Sequence, residues 1–132
     1  MDGALLVNKH AGVSSFGIIE ELQDVLLQHP VAVGREVAFK KRRDVTKMGH
    51  GGTLDPFATG LLAVCVGKGV KLARYFLGSH KTYEGVIRFG AATVPGDPTA
   101  PITERSDVLP ESLALIQAEA LKFTLEPYLQ TP

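Results

Sequence analysis

Apolar residues change their spacing several times along this chain, and each change predicts an element. Residues 3–8 hold a short apolar run that reads as a strand, closed by a turn over residues 9–12. Ile18, Leu22, Val25 and Leu26 then recur at helical spacing, with Glu20, Glu21 and Asp24 off that face. Ser14 or Ser15 can cap this helix, and His29-Pro30 stops it near Gln28. Residues 31–37 show no clear period. Residues 61–66 (L-L-A-V-C-V) form an apolar run of buried-strand length. Gly67-Lys68-Gly69 predicts a turn, and residues 70–77 predict a helix with Gly78 as its cap. From Lys81 to Phe89 the pattern alternates, with Tyr83, Gly85, Ile87 and Phe89 on one face, so a strand is expected. Residues 91–101 are rich in Pro, Gly, Thr and Asp and predict a loop. Pro110 opens a second amphipathic helix, with Leu113, Ile116, Ala120 and Phe123 as its buried stripe to about Thr124. There is no repeat, low-complexity tract or internal linker.

Composition narrows the class. A chain of 132 residues, 45% hydrophobic, can form one globular domain that buries about two-thirds of its unfolded surface. Cys65 is the single cysteine and sits in an apolar run, which excludes a disulfide within the chain and predicts a buried thiol. No charge-free apolar run approaches the length of a membrane span. Asp2, and the lack of arginine before Arg35, argue against a signal or transit peptide, so an intracellular protein is expected. Formal net charge is zero, so the local run Lys40-Lys41-Arg42-Arg43, with Lys47 nearby, carries more meaning than the total. Such a run can neutralise nucleic-acid phosphates. A solvated loop is the plainer reading of the run alone, and a nuclear localisation signal is another. Its place just before the glycine-rich segment favours an RNA-backbone contact. No aromatic residue interrupts it, so base stacking is not suggested there.

That glycine-rich segment, residues 48–62 (M-G-H-G-G-T-L-D-P-F-A-T-G-L-L), stands apart from the rest. Gly49, Gly51 and Gly52 permit unusual backbone angles and close approach of another group. Asp55 precedes a proline and is pushed toward extended backbone. The expected form is a shaped loop that presents one carboxylate, followed by a short helical turn from Pro56. Asp-Pro alone describes a helix N-cap followed by the first helical position, which is the commoner use of that pair. The glycine cluster and His50 are not needed for a cap. The spacing fits neither a phosphate-binding G-x-x-x-x-G-K-[ST] loop nor a dinucleotide G-x-G-x-x-G fingerprint, so no nucleotide cofactor is implied. The four histidines are scattered, with no metal-ligand spacing, so no metal is implied either. Ser14 and Ser15 lack a nucleophile elbow.

The stretch K-M-G-H-G-G-T-L-D-P-F-A-T-G-L-L closely resembles the catalytic motif of the TruB family of tRNA pseudouridine synthases, most of all its fungal and other eukaryotic members. Four further segments resemble the family in the same order. Residues 7–15 (V-N-K-H-A-G-V-S-S) are similar to its K-P-x-G-x-[TS]-S segment, with His10 where proline is usual. Lys81-Thr82-Tyr83 is similar to its K-x-Y strand, and residues 89–97 to its G-x-x-T-x-x-x-D segment. Lys122-Phe123-Thr124 and Gln130-Thr131-Pro132 are similar to the start of F-T-G-x-x-x-Q-x-P-P, with Leu125 in place of glycine.

The resemblance implies an α+β fold, a mixed and largely antiparallel sheet flanked by helices, with residues 1–132 as the N-terminal part of the catalytic domain. It implies isomerisation of the TΨC-loop uridine of tRNA to pseudouridine, in the nucleus or mitochondrion, without cofactor or metal. Asp55 matches the catalytic nucleophile. Tyr83 matches a tyrosine that stacks on the target base and is implicated in a later proton transfer. His50 matches a residue that holds the flipped nucleotide. Gly51, Gly52, Thr53, Lys9 and Lys81 are the implied substrate-binding positions, and Lys40, Lys41, Arg42, Arg43 and Lys47 the RNA-backbone contacts. The chemistry breaks an N-glycosidic bond and rejoins the base through carbon. The base must leave its stack to be reached, and a carboxylate can then act covalently, as carboxylates do in glycosidases. The sequence leaves open which atom is attacked.

Length is the main departure from the family, whose members are about twice as long. A Y-S-A-L-K segment, later strands, an RNA-binding C-terminal region and an arginine that pairs with the nucleophile are expected beyond Pro132. Arg74, Arg88 and Arg105 do not sit in the motif of that arginine. The chain alone is therefore expected to be weakly active or inactive unless a second polypeptide completes it. A non-catalytic RNA-binding or chaperone derivative is the alternative. Guide-RNA-dependent relatives share the Asp55 motif, but residues 81–97 resemble them less.

Overall fold

The computed structural model describes residues 2–29, 45–94, 96–125 and 127. The chain divides into two compact units, Met1–Thr82 and Tyr83–Pro132. Both helices and antiparallel strands are present, so the fold class is α+β.

In the first unit, β1 (Gly3–Lys9), β2 (Met48–His50) and β3 (Gly60–Val66) form an antiparallel sheet in the order β1-β3-β2. The β1–β3 register runs from Gly3 opposite Val66 to Lys9 opposite Gly60, and His50 lies opposite Val64. β3 is the central strand, which explains its unbroken apolar run. Leu62, Val64, Cys65 and Val66 are all buried, as expected for a strand covered on both faces. Burial pushes the Cys65 thiol above its ordinary pKa.

Helix α1 (Ser15–Gln28) begins where the sequence predicts. The Ser14 hydroxyl accepts the Gly17 N–H at 3.0 Å, and the His29 N–H closes the other end on the Val25 carbonyl at 3.0 Å. Ile18 and Ile19 form the core with Leu62 and Val64, flanked by Val7, Val13, Leu22 and Met48. The buried arc is Ser15, Ile18 and Ile19, continued by the half-buried Leu22, at spacings of three, four and seven residues. Val25, expected on that face, is 54% exposed because the arc is centred nearer Ile19.

Two expected elements of this unit take other forms. Residues 48–50 are the strand β2, so the glycine-rich loop proper spans 51–59. The expected helical turn at Pro56 is a single turn, closed by the Ala58 N–H on the Asp55 carbonyl at 3.0 Å. The helix after β3 starts earlier than expected, as a 3₁₀ helix (Gly67–Leu72), and becomes α-helical only in α2 (Ala73–Leu77). Gly78 ends α2 in a right-handed conformation, so its freedom as glycine is not used there. The exposed carbonyls are capped by Lys81, whose Nζ donates to Phe76, Leu77 and Ser79 at 2.9–3.0 Å.

In the second unit, β4 (Ala91–Thr93) pairs antiparallel with β5 (Ile102–Arg105), with an irregularity between Ala92 and Thr93, and α3 spans Leu113–Leu125. The expected loop over 91–101 thus opens with a short strand. The expected strand from Lys81 to Phe89 is not formed: those residues are exposed and lie outside both sheets. Alternation prepares two faces, but a strand also needs a neighbour for its N–H and C=O groups. Nor is the α3 stripe buried. Leu113 and Phe123 are exposed, and no described residue of this unit is buried. Ile87, Phe89, Leu115, Ile116 and Phe123 line an open apolar groove of about 300 Å³. Among the described residues no helix is long and apolar enough to cross a membrane.

Candidate active site

Loop 51–59 hangs between β2 and β3 with Asp55 near its middle. Asp55 is exposed, and among the described residues its carboxylate has no hydrogen bond or ion pair. Its position is therefore set by what holds the main chain around it. One segment, residues 9–15, does most of this. The Ser15 hydroxyl accepts the Leu54 N–H at 2.9 Å and donates to the Leu54 carbonyl at 3.1 Å. The Gly12 N–H donates to the Pro56 carbonyl at 2.8 Å. Lys9 is fully buried, and its Nζ donates to the carbonyls of Ala58 at 2.6 Å, His10 at 3.0 Å and Pro56 at 3.2 Å. Three donors meet three acceptors, which is what an ammonium requires when it leaves water.

The glycines have separate jobs. Gly51 is buried, and its N–H donates to the Ala63 carbonyl at 2.8 Å. A Cβ there would run into the Phe76 side chain of α2. Gly52 has φ +155° and lies against the Lys81 side chain. His50, at the end of β2, is half-buried, and its Nδ1 is buried without a hydrogen-bond partner. Such an atom costs about 1–3 kcal/mol until something pairs with it.

His10 borders the same frame. Its Nδ1 faces the Ala11 carbonyl at 3.0 Å and its Nε2 faces the Glu21 carboxylate at 3.2 Å. Two acceptors favour hydrogen on both ring nitrogens, so the Ala11 carbonyl first, and Glu21 after it, raise the His10 pKa above 6.5.

The structure thus brings His50, Gly51, Gly52, Thr53 and Asp55 into one loop and its entry strand, with Lys81 beside Gly52. Lys9 is corrected. Its buried ammonium is engaged by main-chain carbonyls, so it supports the loop where a substrate contact was expected. Tyr83, expected on a sheet face, opens the second unit and is 71% exposed. Lys47 is exposed, and its carbonyl accepts the Gly67 N–H at 2.7 Å. Lys40, Lys41, Arg42 and Arg43 lie outside the described residues. Ser15 and Gly12 were not expected at the site. The available signal was a serine on the apolar arc of α1, since a hydroxyl placed there must find a partner.

A family model described as "TruB family pseudouridylate synthase (N terminal domain)" matches residues 40–132. The chain belongs to the TruB family. It is 34% identical over 131 residues to a protein of Bordetella parapertussis named tRNA pseudouridine synthase B, which covers 99% of this chain and 46% of that protein. Proteins of the same name from Aquifex aeolicus and Geobacillus kaustophilus are 35% and 37% identical, over 79% and 74% of this chain and 30% and 28% of their own lengths. The TruB-family chain thus spans less than half the length of these relatives. All three are bacterial and say nothing of a eukaryotic subtype.

Proposed function

We propose that this chain is the N-terminal part of the catalytic domain of a tRNA pseudouridine synthase, and that its substrate is the TΨC-loop uridine. The observation that carries the reading is an exposed carboxylate without bonds of its own, on a loop whose main chain is held on both sides of it. That geometry suits a nucleophile, which must be positioned and yet free to react. A capping aspartate would instead be bonded to main-chain N–H groups.

In this reading the uridine leaves its stack and enters the space over loop 51–59. The Asp55 carboxylate forms a covalent bond to the nucleotide and the N-glycosidic bond breaks; the base rejoins the sugar through carbon, the bond to Asp55 is released, and the proton lost from that carbon is balanced by one gained at the freed ring nitrogen. His50, Gly51, Gly52, Thr53 and Lys81 hold the nucleotide and Tyr83 stacks on it. Lys9 acts through the loop. Lys40, Lys41, Arg42, Arg43 and Lys47 neutralise RNA phosphates. An RNA-binding derivative without turnover is the second reading. Mapping pseudouridine in an unmodified tRNA transcript separates the two. Conversion at the TΨC-loop uridine and nowhere else supports the first reading. Salt-sensitive tRNA binding with no conversion, even with the remaining half of a relative supplied as a second polypeptide, supports the second.

A further inference from the structure

We infer that Ser15 is a positioning residue for the nucleophile, acting by locking the peptide units on either side of Leu54. The inference rests on the reading of Asp55 proposed above.

Ser15 is only 2% exposed, at the first position of α1, and its hydroxyl makes no hydrogen bond within its own helix. Ser14 already supplies the N-cap by accepting the Gly17 N–H. Ser15 is therefore not needed to start the helix, and a buried hydroxyl on the core arc is costly unless it is paired. Both of its bonds go to one residue 39 positions away: Oγ accepts from the Leu54 N–H and donates to the Leu54 carbonyl. The first bond fixes the Thr53–Leu54 peptide. The second fixes the Leu54–Asp55 peptide, whose nitrogen belongs to Asp55 itself. A single side chain that both donates and accepts thus orients the backbone entering the nucleophile. A hydroxyl can do both at once in a sealed space. Lys9 and Gly12 hold the chain after Asp55, at Pro56 and Ala58, so Ser15 supplies the restraint before it.

The anchor is stiff. α1 is held through Ile18 and Ile19, one turn beyond Ser15, to Leu62 and Val64 of β3. The lock therefore ties the loop to the best-packed part of the unit. Displacing a reacting group by about 1 Å costs on the order of 100-fold in rate, whereas RNA affinity comes chiefly from phosphate contacts elsewhere.

The test compares the native protein with Ser15→Ala, Ser15→Thr and Asp55→Asn. Single-turnover pseudouridine formation, with the remaining half of a relative supplied to each as a second polypeptide, is measured together with tRNA affinity and amide hydrogen exchange at Leu54. Ser15→Ala is expected to slow the chemical step by about 10- to 100-fold, to change tRNA affinity less than about threefold, and to speed exchange at Leu54 while the β3 amides stay protected. Ser15→Thr, which keeps donor and acceptor, is expected to recover part of the rate. A native rate in Ser15→Ala, with Asp55→Asn inactive, overturns the role of Ser15 and leaves the nucleophile in place. Turnover by Asp55→Asn overturns the underlying reading instead. Loss of protection in β3 together with Leu54 would mean a general loss of folding, and would overturn the lock if Ser15→Thr behaves in the same way.

Discussion

Among the described residues the Asp55 carboxylate has no partner, so the residues that matter most to it are those that touch the main chain beside it. None of these could be assigned from spacing alone. Lys9, Gly12 and Ser15 are more than 35 residues away in sequence from the carbonyls and N–H groups they serve around Asp55. Local patterns show that Lys9 ends a strand and that Ser15 lies on an apolar arc; which groups each would meet is decided only by tertiary packing. Asp55 stands out in the sequence, because its motif combines residue types that a simple cap does not require. His10 gives a prediction at this scale. Its folded pKa is raised, so its contribution to stability is fully present below the unfolded value of 6.5 and is lost as pH rises through the folded value. Urea denaturation midpoints should therefore drift down as pH is raised above 6.5 in the native chain and stay flatter in His10→Gln. An identical drift in the variant would contradict the assignment.

Among the elements, β1, α1 and β3 follow from their own sequences: β1 and β3 are short apolar runs of strand length, and α1 has a helical period with a buried arc. The strand expected from Lys81 to Phe89 did not follow, since alternation specifies faces and leaves the partner unspecified. β4 and β5, of three and four residues, are too short for periodicity to register. The approach of α2 to the loop is set at Gly51, where the missing Cβ makes room for Phe76. Gly51→Ala should cost about 1–3 kcal/mol through overpacking, read as a lower urea midpoint. Adding Phe76→Ala should return part of that loss, because groups in contact couple. Purely additive effects would mean that α2 does not restrain the loop.

Across the whole chain, charge is balanced in total and unbalanced in distribution. The first unit has eleven Lys and Arg against seven Asp and Glu, and the second has three against seven. No acidic residue occurs between Asp55 and Glu84, a stretch that includes Lys68, Lys71, Arg74 and Lys81. An RNA partner would be drawn to the first unit. Replacing Lys40, Lys41, Arg42 and Arg43 by Ala should flatten the dependence of tRNA affinity on log salt, by about 0.7–0.9 for each phosphate that is no longer neutralised. Replacing Lys122 should leave it unchanged. The central claim, that Asp55 is the nucleophile of a pseudouridine synthase, is tested most directly by single-turnover pseudouridine formation on an unmodified tRNA transcript. The native sequence is compared with Asp55→Asn, each with the remaining half of a relative supplied as a second polypeptide. Asp55→Asn is expected to bind tRNA within about threefold of native and to form no pseudouridine, since an amide of nearly the same shape cannot serve as the nucleophile. Pseudouridine formed by Asp55→Asn at a rate near native would contradict that claim.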